Sequence, residues 1–204
     1  MDVVVFSGGV SEAMTAYAVQ RFGQMSNLPN KVKNLMDMRV GLFSFFSGSG
    51  FLDLGFEQAS PNYHVMFANE LSPSFARVYK YNRSKREEAI DDSSFIIGSI
   101  DDFFVEASKP RTILTNKLAE ARKQNDFVGF VGGPPCPDFS VAGKQRGEHG
   151  VHGRLSQSYV NLIIEQQPDF FVFENVKGLV QTEKHREFFN RLIDQLNDAG
   201  YVTD

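Results

Sequence analysis

Short apolar runs alternate with longer amphipathic stretches along this chain. Runs with the length of buried strands cover residues 2–6, 40–46, 63–68, 94–97, 127–131 and 170–173, and residues 200–202 begin another. Between them, apolar residues recur at helical spacing, as Ile113, Leu114 and Leu118 do. Strands that alternate with helices predict an α/β fold built on a doubly wound, mostly parallel sheet with right-handed crossovers.

Chemically distinctive residues follow several of these strands. Gly48, Glu70, Asp101, Cys136 and Glu174 each stand at or just after the end of a predicted strand. In a parallel sheet the carboxyl ends of the strands lie along one edge, and ligands bind in the crevice there. We therefore expect all of these residues to face the same crevice.

The segment Phe46-Ser-Gly-Ser-Gly50 joins a predicted strand to an amphipathic helix. Such a turn lets backbone N–H groups approach a nucleotide, although glycine turns also occur for packing reasons. Glu70 follows about twenty residues later, where a carboxylate can accept hydrogen bonds from two ribose hydroxyls. No P-loop lysine follows the glycines, which argues against hydrolysis of a nucleoside triphosphate. The pattern indicates an adenosine-containing cofactor.

Cys136 is the only cysteine of the chain and lies in a proline-rich turn directly after the strand at 127–131. A free cysteine is often a small buried hydrophobic residue, and on local grounds that alternative stays open. A thiol in a stiff turn at a strand end is equally suited to be a nucleophile. With Glu174 in the same crevice, the two side chains would allow covalent catalysis assisted by an acid.

The composition is that of one globular domain, and it narrows the function classes. Of 204 residues, 42% are hydrophobic and 23% are charged, and the formal net charge is −4. A single cysteine excludes a disulfide framework and a cysteine-rich zinc site, and it suits a reducing cytoplasm. We find neither an apolar run of membrane-spanning length nor a signal peptide. We expect a cytoplasmic protein with no metal and no membrane partner.

The mildly acidic charge argues against a protein that binds nucleic acid over its whole surface. A local basic patch remains open in the glycine-rich stretch 141–154, which we expect to be a long loop. Its basic residues are Lys144, Arg146 and Arg154. We expect its two histidines, His149 and His152, to be exposed rather than to bind metal, because no cysteine or carboxylate set at ligand spacing accompanies them.

Residues 1–37 are predicted to be an N-terminal extension. A strand at 2–6 runs into Ser7-Gly8-Gly9, and a helix is predicted over 12–21, followed by a polar linker. This segment partly resembles the opening of PP-loop ATP pyrophosphatases, with Ser11 and Glu12 where that family has aspartate and serine. The predicted domain boundary lies between residues 37 and 38.

The chain from residue 38 onward resembles the DNA (cytosine-5)-methyltransferase family. The resemblance is carried, in order, by Phe46-Ser-Gly-Ser-Gly50, Asn69-Glu70, Gly133-Pro-Pro-Cys136 and Glu174-Asn175-Val176-Lys-Gly178-Leu179. It implies the Rossmann-like fold of class I S-adenosylmethionine-dependent methyltransferases. It also implies S-adenosyl-L-methionine as cofactor, cytosine in double-stranded DNA as substrate, and a bacterial or phage setting of the restriction-modification type.

The resemblance also implies roles for individual residues. Cys136 would attack carbon 6 of a flipped-out cytosine, Glu174 would hold or protonate ring nitrogen 3, and Asn175 would position the catalytic turn. The implied cofactor-contacting residues are Phe46, Gly48, Gly50, Leu52, Glu70, Leu71, Ile100, Asp101, Pro135 and Leu155. The candidate DNA contacts are Ser140, Lys144, Arg146 and Arg154.

Departures from the family pattern qualify these roles. Ser99 replaces the aspartate that binds the adenine amino group, and Asp101 is near enough to substitute for it. The chain ends before the arginine-bearing motif, the target-recognition region and the late motif that closes the cofactor pocket, so the domain is predicted to be incomplete at its C-terminus. Two functions remain open. One is a methyltransferase, either as a subunit that works with a second chain carrying the recognition region or as the N-terminal part of a longer enzyme, and the other is an inactive, cofactor-binding remnant.

Overall fold

A computed structural model describes residues 2–7, 38–85, 91–135, 151–175 and 183–203. These residues form a sheet of seven strands, connected mainly by α-helices and short 3-10 turns. In chain order the elements are β1 (Asp2–Ser7), β2 (Val40–Phe45), α1 (Phe51–Ala59), β3 (Tyr63–Glu70), α2 (Pro73–Ser84), β4 (Phe95–Ile97), α3 (Lys109–Gln124), β5 (Phe127–Gly132), α4 (Val151–Gln166), β6 (Phe170–Asn175), α5 (Glu183–Asp198) and β7 (Val202–Thr203).

The strand order in the sheet is β4-β3-β2-β5-β6-β1-β7, and all described strand pairs are parallel. From β2 the chain moves outward to β3 and β4 on one side. It then returns to β5 beside β2 and continues to β6 on the other side. The direction of winding therefore reverses between β2 and β5, which is where open α/β sheets bind ligands. The predicted fold class is confirmed.

Strand β1 lies between β6 and β7, with Phe6 opposite Glu174 and Val3 opposite Thr203. Residues 2–7 thus share a sheet with the strands that follow residue 38. The domain boundary at residue 38 stays a prediction, and the helix predicted over 12–21 lies outside the described residues.

The predicted strands agree with the observed ones to within about two residues at each end. They were recognisable because strands of a parallel sheet are covered on both faces and are apolar along their length. All six residues of β2 are buried. The loop predicted for 141–154 was wrong at its end, because α4 begins at Val151. Arg154 and Ser158, one helical turn apart, both bind Asp101, which anchors this first part of α4.

Phenylalanine rings fill the layer between the sheet and the helices on one face. Phe45 contacts Phe130 with ring centroids 4.9 Å apart, and Phe43 stacks on Phe67 at 5.6 Å. This cluster accounts for much of the unusual content of 20 phenylalanines. Within the described ranges, no helix is long and apolar enough to cross a membrane.

Candidate functional site

A cavity of about 300 Å³ opens at the carboxyl ends of β2, β3, β4 and β5, at the point where the winding reverses. Its volume is at the lower end of the range for ligand pockets, about 300–1,000 Å³. The lining combines glycines, a carboxylate and apolar side chains. The lining residues are Phe46, Gly48, Asn69, Glu70, Leu71, Ser72, Phe75, Gly98, Ser99, Ile100, Gly133, Pro135 and Leu155.

The glycine loop, residues 46–50, forms one wall of the cavity. Its backbone is left-handed at Phe46 (φ 53°), Gly48 (φ 54°) and Gly50 (φ 88°). A left-handed conformation is uncommon for a residue with a side chain, so the one at Phe46 must be held by its surroundings. The loop is held at Ser47, whose N–H donates to the carbonyl of Asn69 at 3.0 Å. The end of β3 therefore fixes the shape of the loop.

Glu70 is the charged group of the cavity, and backbone amides hold it. Its Oε2 accepts from the N–H of Gly48 at 2.9 Å, and its Oε1 accepts from the N–H of Ser72 at 2.7 Å. The residue is 9% exposed. The carboxylate therefore joins the glycine loop to the start of α2, and it stands where the sequence predicts a ribose-binding group.

Asn69 ties the end of β3 to the end of β4. Its Nδ2 donates to the carbonyls of Ile96 and Gly98 at 3.1 and 3.0 Å, while the N–H of Gly98 donates to the carbonyl of Glu70 at 3.1 Å. These bonds place Ser99 and Ile100 opposite the glycine loop. A buried amide side chain thus builds the second wall of the cavity.

A buried polar network lies beneath the glycine loop. Asp53, in the first turn of α1, is fully buried and accepts hydrogen bonds at both oxygens, from Ser44 Oγ and Tyr79 OH, each at 2.6 Å. Burial raises the pKa of the Asp53 carboxyl, while these two hydroxyls oppose that shift. The network joins β2, α1 and α2 behind the cavity.

Tyr79 also supports the loop sterically. A Cβ atom at Gly50 would lie 2.9 Å from the Tyr79 ring, so only glycine fits against it. Arg83 lies 5.6 Å from the centroid of the same ring and forms two hydrogen bonds to Glu57, at 3.1 and 2.8 Å. The Tyr79 ring therefore lies close to both the loop and a largely buried ion pair.

Glu174 lies near the end of β6, beside the turn that follows β5. A Cβ atom at Gly133 would lie 2.6 Å from its Oε2, so the absence of a side chain at Gly133 makes room for the carboxyl. Burial raises the pKa of Glu174. Within the described part of the chain, its carboxyl has no hydrogen-bond partner. Gly133 lines the cavity whereas Glu174 does not, so the Glu174 carboxyl adjoins the lining only at Gly133.

Asp101 faces away from the cavity lining. Its Oδ1 accepts from Ser158 Oγ at 2.7 Å, and its Oδ2 lies 3.1 Å from Nη2 of Arg154. Ser99 lines the cavity instead, and its Oγ accepts from the N–H of Asp101 at 3.2 Å. Ser99 therefore lines the cavity, while the Asp101 carboxylate binds α4, and a cofactor contact by Asp101 stays a prediction.

Most of the predicted cofactor-contacting residues lie together in the cavity lining. These are Phe46, Gly48, Glu70, Leu71, Ile100, Pro135 and Leu155. Gly50 packs under the loop against Tyr79, Leu52 packs against the hydrophobic core, and Asp101 binds α4. Arg154, the one described candidate for a DNA contact, is 68% exposed and paired with Asp101.

Several predicted residues cannot be placed. Cys136, Ser140, Lys144 and Arg146 lie outside the described residues, as do His149 and the segment from Val176 to Leu179. Pro135, directly before Cys136, is the last described residue of its turn and lies in the cavity lining. Asn175 is the last residue of β6. Among the residues that are described, no group of His, Cys, Asp and Glu could hold a metal ion.

Sequence reasoning missed several lining residues. Asn69 and Gly133 belong to recognised motifs but were given no cofactor contact, Gly98 and Ser99 directly follow β4, and the positions of all four at strand ends were the available signal. Ser72 and Phe75 were missed because they belong to the start of α2 and not to a strand end. Phe75 does not belong to the buried face of that helix, which Ala76 and Tyr79 form.

Comparisons with known proteins show which family the chain resembles. The family model for C-5 cytosine-specific DNA methylase matches residues 40–204. Type II methyltransferase M.NmeDI of Neisseria meningitidis serogroup C is 52% identical over 79% of this chain and 37% of its own length. Type II methyltransferase M.MthTI of Methanothermobacter thermautotrophicus is 34% identical over 80% of this chain and 42% of its own length. The solved structure of a Spodoptera frugiperda DNMT2 mutant matches with a TM-score of 0.49 and 17% identity, covering 78% of this chain and 41% of that chain.

The chain spans about two fifths of the length of the curated relatives it matches. The matched part includes the cavity, the Gly-Pro-Pro turn and Glu174, and the family match begins at the first residue of β2. Sequence motifs, strand order and family match thus coincide over the same residues. The chain belongs to the C-5 cytosine-specific DNA methylase family.

Proposed function

We propose that this chain supplies the cofactor-binding and catalytic part of a DNA (cytosine-5)-methyltransferase that uses S-adenosyl-L-methionine. The observation that carries the proposal is the placement of two unlike carboxyls along one edge of the sheet, one lining the cavity and the other beside the lining residue Gly133. Glu70 is held by amides at the end nearest β3, and Glu174 is unpaired within the described part of the chain at the end nearest β5 and β6. Glu70 suits the recognition of ligand hydroxyls, and Glu174 suits proton transfer.

The cavity residues fit S-adenosylmethionine. The Glu70 carboxylate would accept hydrogen bonds from the ribose hydroxyls, and the glycine loop would let its backbone approach the ligand closely. Apolar surface for the rest of the ligand would come from Leu71, Ile100 and Leu155. When bound, the cofactor supplies an electrophilic methyl group for carbon 5 of cytosine. The base would lie near the ends of β5 and β6, since Cys136 follows β5 in the sequence and Glu174 lies near the end of β6.

Cys136 is the proposed nucleophile. Its thiolate would form a bond to carbon 6 of the cytosine, which increases the electron density at carbon 5. A thiol suits this step because the thiolate is both a strong nucleophile and a competent leaving group. The base must leave the helix first, since its reactive atoms lie inside the stack. Loss of the carbon-5 proton, followed by cleavage of the bond between sulfur and carbon 6, would regenerate Cys136.

Glu174 is the proposed acid. A protonated carboxyl at ring nitrogen 3 would donate its proton as Cys136 adds, so that negative charge does not accumulate on the ring. Burial raises the pKa of Glu174, which supports a protonated carboxyl at higher pH than an exposed glutamate would allow. Asn175, the next residue, would help position the turn that bears Cys136.

DNA recognition would involve the exposed Arg154 together with Ser140, Lys144 and Arg146 as phosphate contacts. The choice of target sequence would fall to a region beyond the matched two fifths, in the same protein or in a second subunit. Such an enzyme would act in the cytoplasm, where it would meet double-stranded DNA.

The test is transfer of a labelled methyl group to DNA by this chain, combined with a chain that carries the recognition region of a relative. Cys136→Ser should abolish transfer, while S-adenosylmethionine binding, measured by calorimetry, should stay within about twofold of wild type. Transfer that survives Cys136→Ser would contradict the mechanism. Cofactor binding with no transfer by the wild-type pair would favour the alternative, an inactive cofactor-binding remnant.

A further inference from the structure

We infer that Phe75, on α2, is a cofactor-contacting residue that forms the outer wall of the adenosine end of the cavity. The inference rests on the proposed use of S-adenosylmethionine. Phe75 lines the cavity although it follows no strand, and its side chain is 53% exposed. Leu71, four residues earlier, lines the same cavity and is 64% exposed.

The topology indicates which part of the ligand would lie against Phe75. In the proposed mechanism the methyl group points toward β5 and β6, because Cys136 follows β5 in the sequence and Glu174 lies near the end of β6. The adenosine part is then left with the ends of β3 and β4, where Glu70, Leu71 and Ser99 lie. Phe75 belongs to this end, since α2 begins directly after β3.

The chemistry of this end is suited to a purine. Leu71 and Phe75 are exposed apolar residues on the side of the cavity near α2. Ile100 is a buried apolar residue on the side near β4. A flat aromatic ligand placed among them would remove the exposed surface of Leu71 and Phe75 from water. An aromatic side chain adds a stacking contact that an aliphatic one lacks. Phe75 also adds little to the fold, because Ala76 and Tyr79 form the buried face of α2.

Truncation of Phe75 gives the first test. Phe75→Ala should lower the affinity for S-adenosylmethionine about tenfold, the usual range for loss of one aromatic contact to a base. S-adenosylhomocysteine and 5′-methylthioadenosine, which share the adenosine part, should lose the same factor. Val78→Ala is the matched control, because Val78 is 44% exposed on the same helix but does not line the cavity. Its affinities should equal those of wild type.

A fluorescent variant gives the second test, since the chain contains no tryptophan. The emission of Phe75→Trp should change on addition of S-adenosylmethionine, with a midpoint equal to the calorimetric Kd, while that of Val78→Trp should not. Equal responses of the two variants, or wild-type affinity in Phe75→Ala, would overturn the inference and leave the proposed function standing. If 5′-methylthioadenosine alone were spared, Phe75 would contact the methionine part, and the assignment to adenosine would be wrong.

Binding of S-adenosylmethionine by the wild-type chain and by Glu70→Gln distinguishes a failure of this inference from a failure of the proposed function on which it rests. Wild type should bind S-adenosylmethionine, and Glu70→Gln should bind it at least about tenfold more weakly, because a charged hydrogen-bond acceptor is lost. Absence of binding by wild type would contradict the proposed cofactor and the role of Phe75 together.

Discussion

Asp53 and Glu174 are both carboxyls whose pKa is raised by burial, yet their surroundings differ. Asp53 is fully buried, and each of its oxygens accepts a hydroxyl at 2.6 Å. Glu174 is half-buried beside a glycine, with no hydrogen-bond partner in the described part of the chain. A raised pKa alone therefore does not distinguish a structural carboxyl from a functional one. The difference lies in whether the hydrogen-bonding capacity of the oxygens is already used.

The largest expected effect is at Glu174. Glu174→Gln should lower methyl transfer about 10²–10⁴-fold, the range for loss of a general acid, while cofactor affinity stays unchanged. Stability at pH 7 should not fall, because the amide resembles the neutral carboxyl that the site favours. Transfer assays and urea denaturation of the same preparation check both outcomes, and a loss of stability that parallels the loss of activity would contradict this division of roles.

Gly133 controls the position of the Glu174 carboxyl, so Gly133→Ala should act through it. The added Cβ would lie 2.6 Å from Oε2 and must displace the carboxyl. A misplacement of about 1 Å costs on the order of 100-fold in rate. In the double variant Gly133→Ala/Glu174→Gln, transfer should be no slower than in Glu174→Gln alone. If the double variant instead lost activity by the product of the two single losses, Gly133 would act independently of Glu174. Cofactor titrations of the same variants would then show whether Gly133 affects cofactor binding.

At Asp53, whose two oxygens both accept hydrogen bonds, the expected effect is on stability. Tyr79→Phe removes one donor to Asp53 but keeps the ring against Gly50. The free energy of unfolding should fall by about 1–3 kcal/mol, the usual cost of leaving a buried polar group without one of its hydrogen bonds. Tyr81→Phe is the control, since Tyr81 is 61% exposed, and it should change stability by less than about 0.5 kcal/mol. Equal effects in the two variants would argue against the buried network.

The smallest effect is a dependence of stability on pH. A carboxyl whose pKa is raised in the folded state stabilises the fold when protonated, and that contribution is lost as pH rises from the unfolded pKa of Glu174 through its folded pKa. Relative to Glu174→Gln, wild type should therefore become less stable over this interval, and the difference should level off above it. The variant retains Asp53, so the contribution of that residue cancels. A difference independent of pH would mean that the pKa of Glu174 is not raised.

The strands and the glycine loop could be predicted because their signals are local. An apolar run such as Phe127–Gly132, or glycines directly after a strand, can be recognised without knowledge of the rest of the chain. The position of β1 between β6 and β7 could not be predicted, since the residues it pairs with lie more than 160 positions away.

The residue pattern predicted the site at strand ends, whereas Leu155, on α4, was expected only from the family resemblance. Tyr79 has the spacing of an ordinary core residue of an amphipathic helix, and nothing in the sequence links it to Asp53. The pairing of Asp101 with Arg154 likewise depends on the packing of α4, whose first turn was expected to be loop. Side chains that meet through tertiary packing leave no periodic signal in the sequence.

The two amides that hold Glu70 have a consequence for how tightly a ligand can bind. With Gly48 and Ser72 donating to its two oxygens, the side chain loses its rotational freedom during folding. Ordering such a side chain on binding would otherwise reduce affinity by about 0.5–1.5 kcal/mol. A ligand that meets this carboxylate finds it already oriented. Ligand affinity and local folding at this corner of the sheet are therefore coupled, and loosening either amide contact should weaken both.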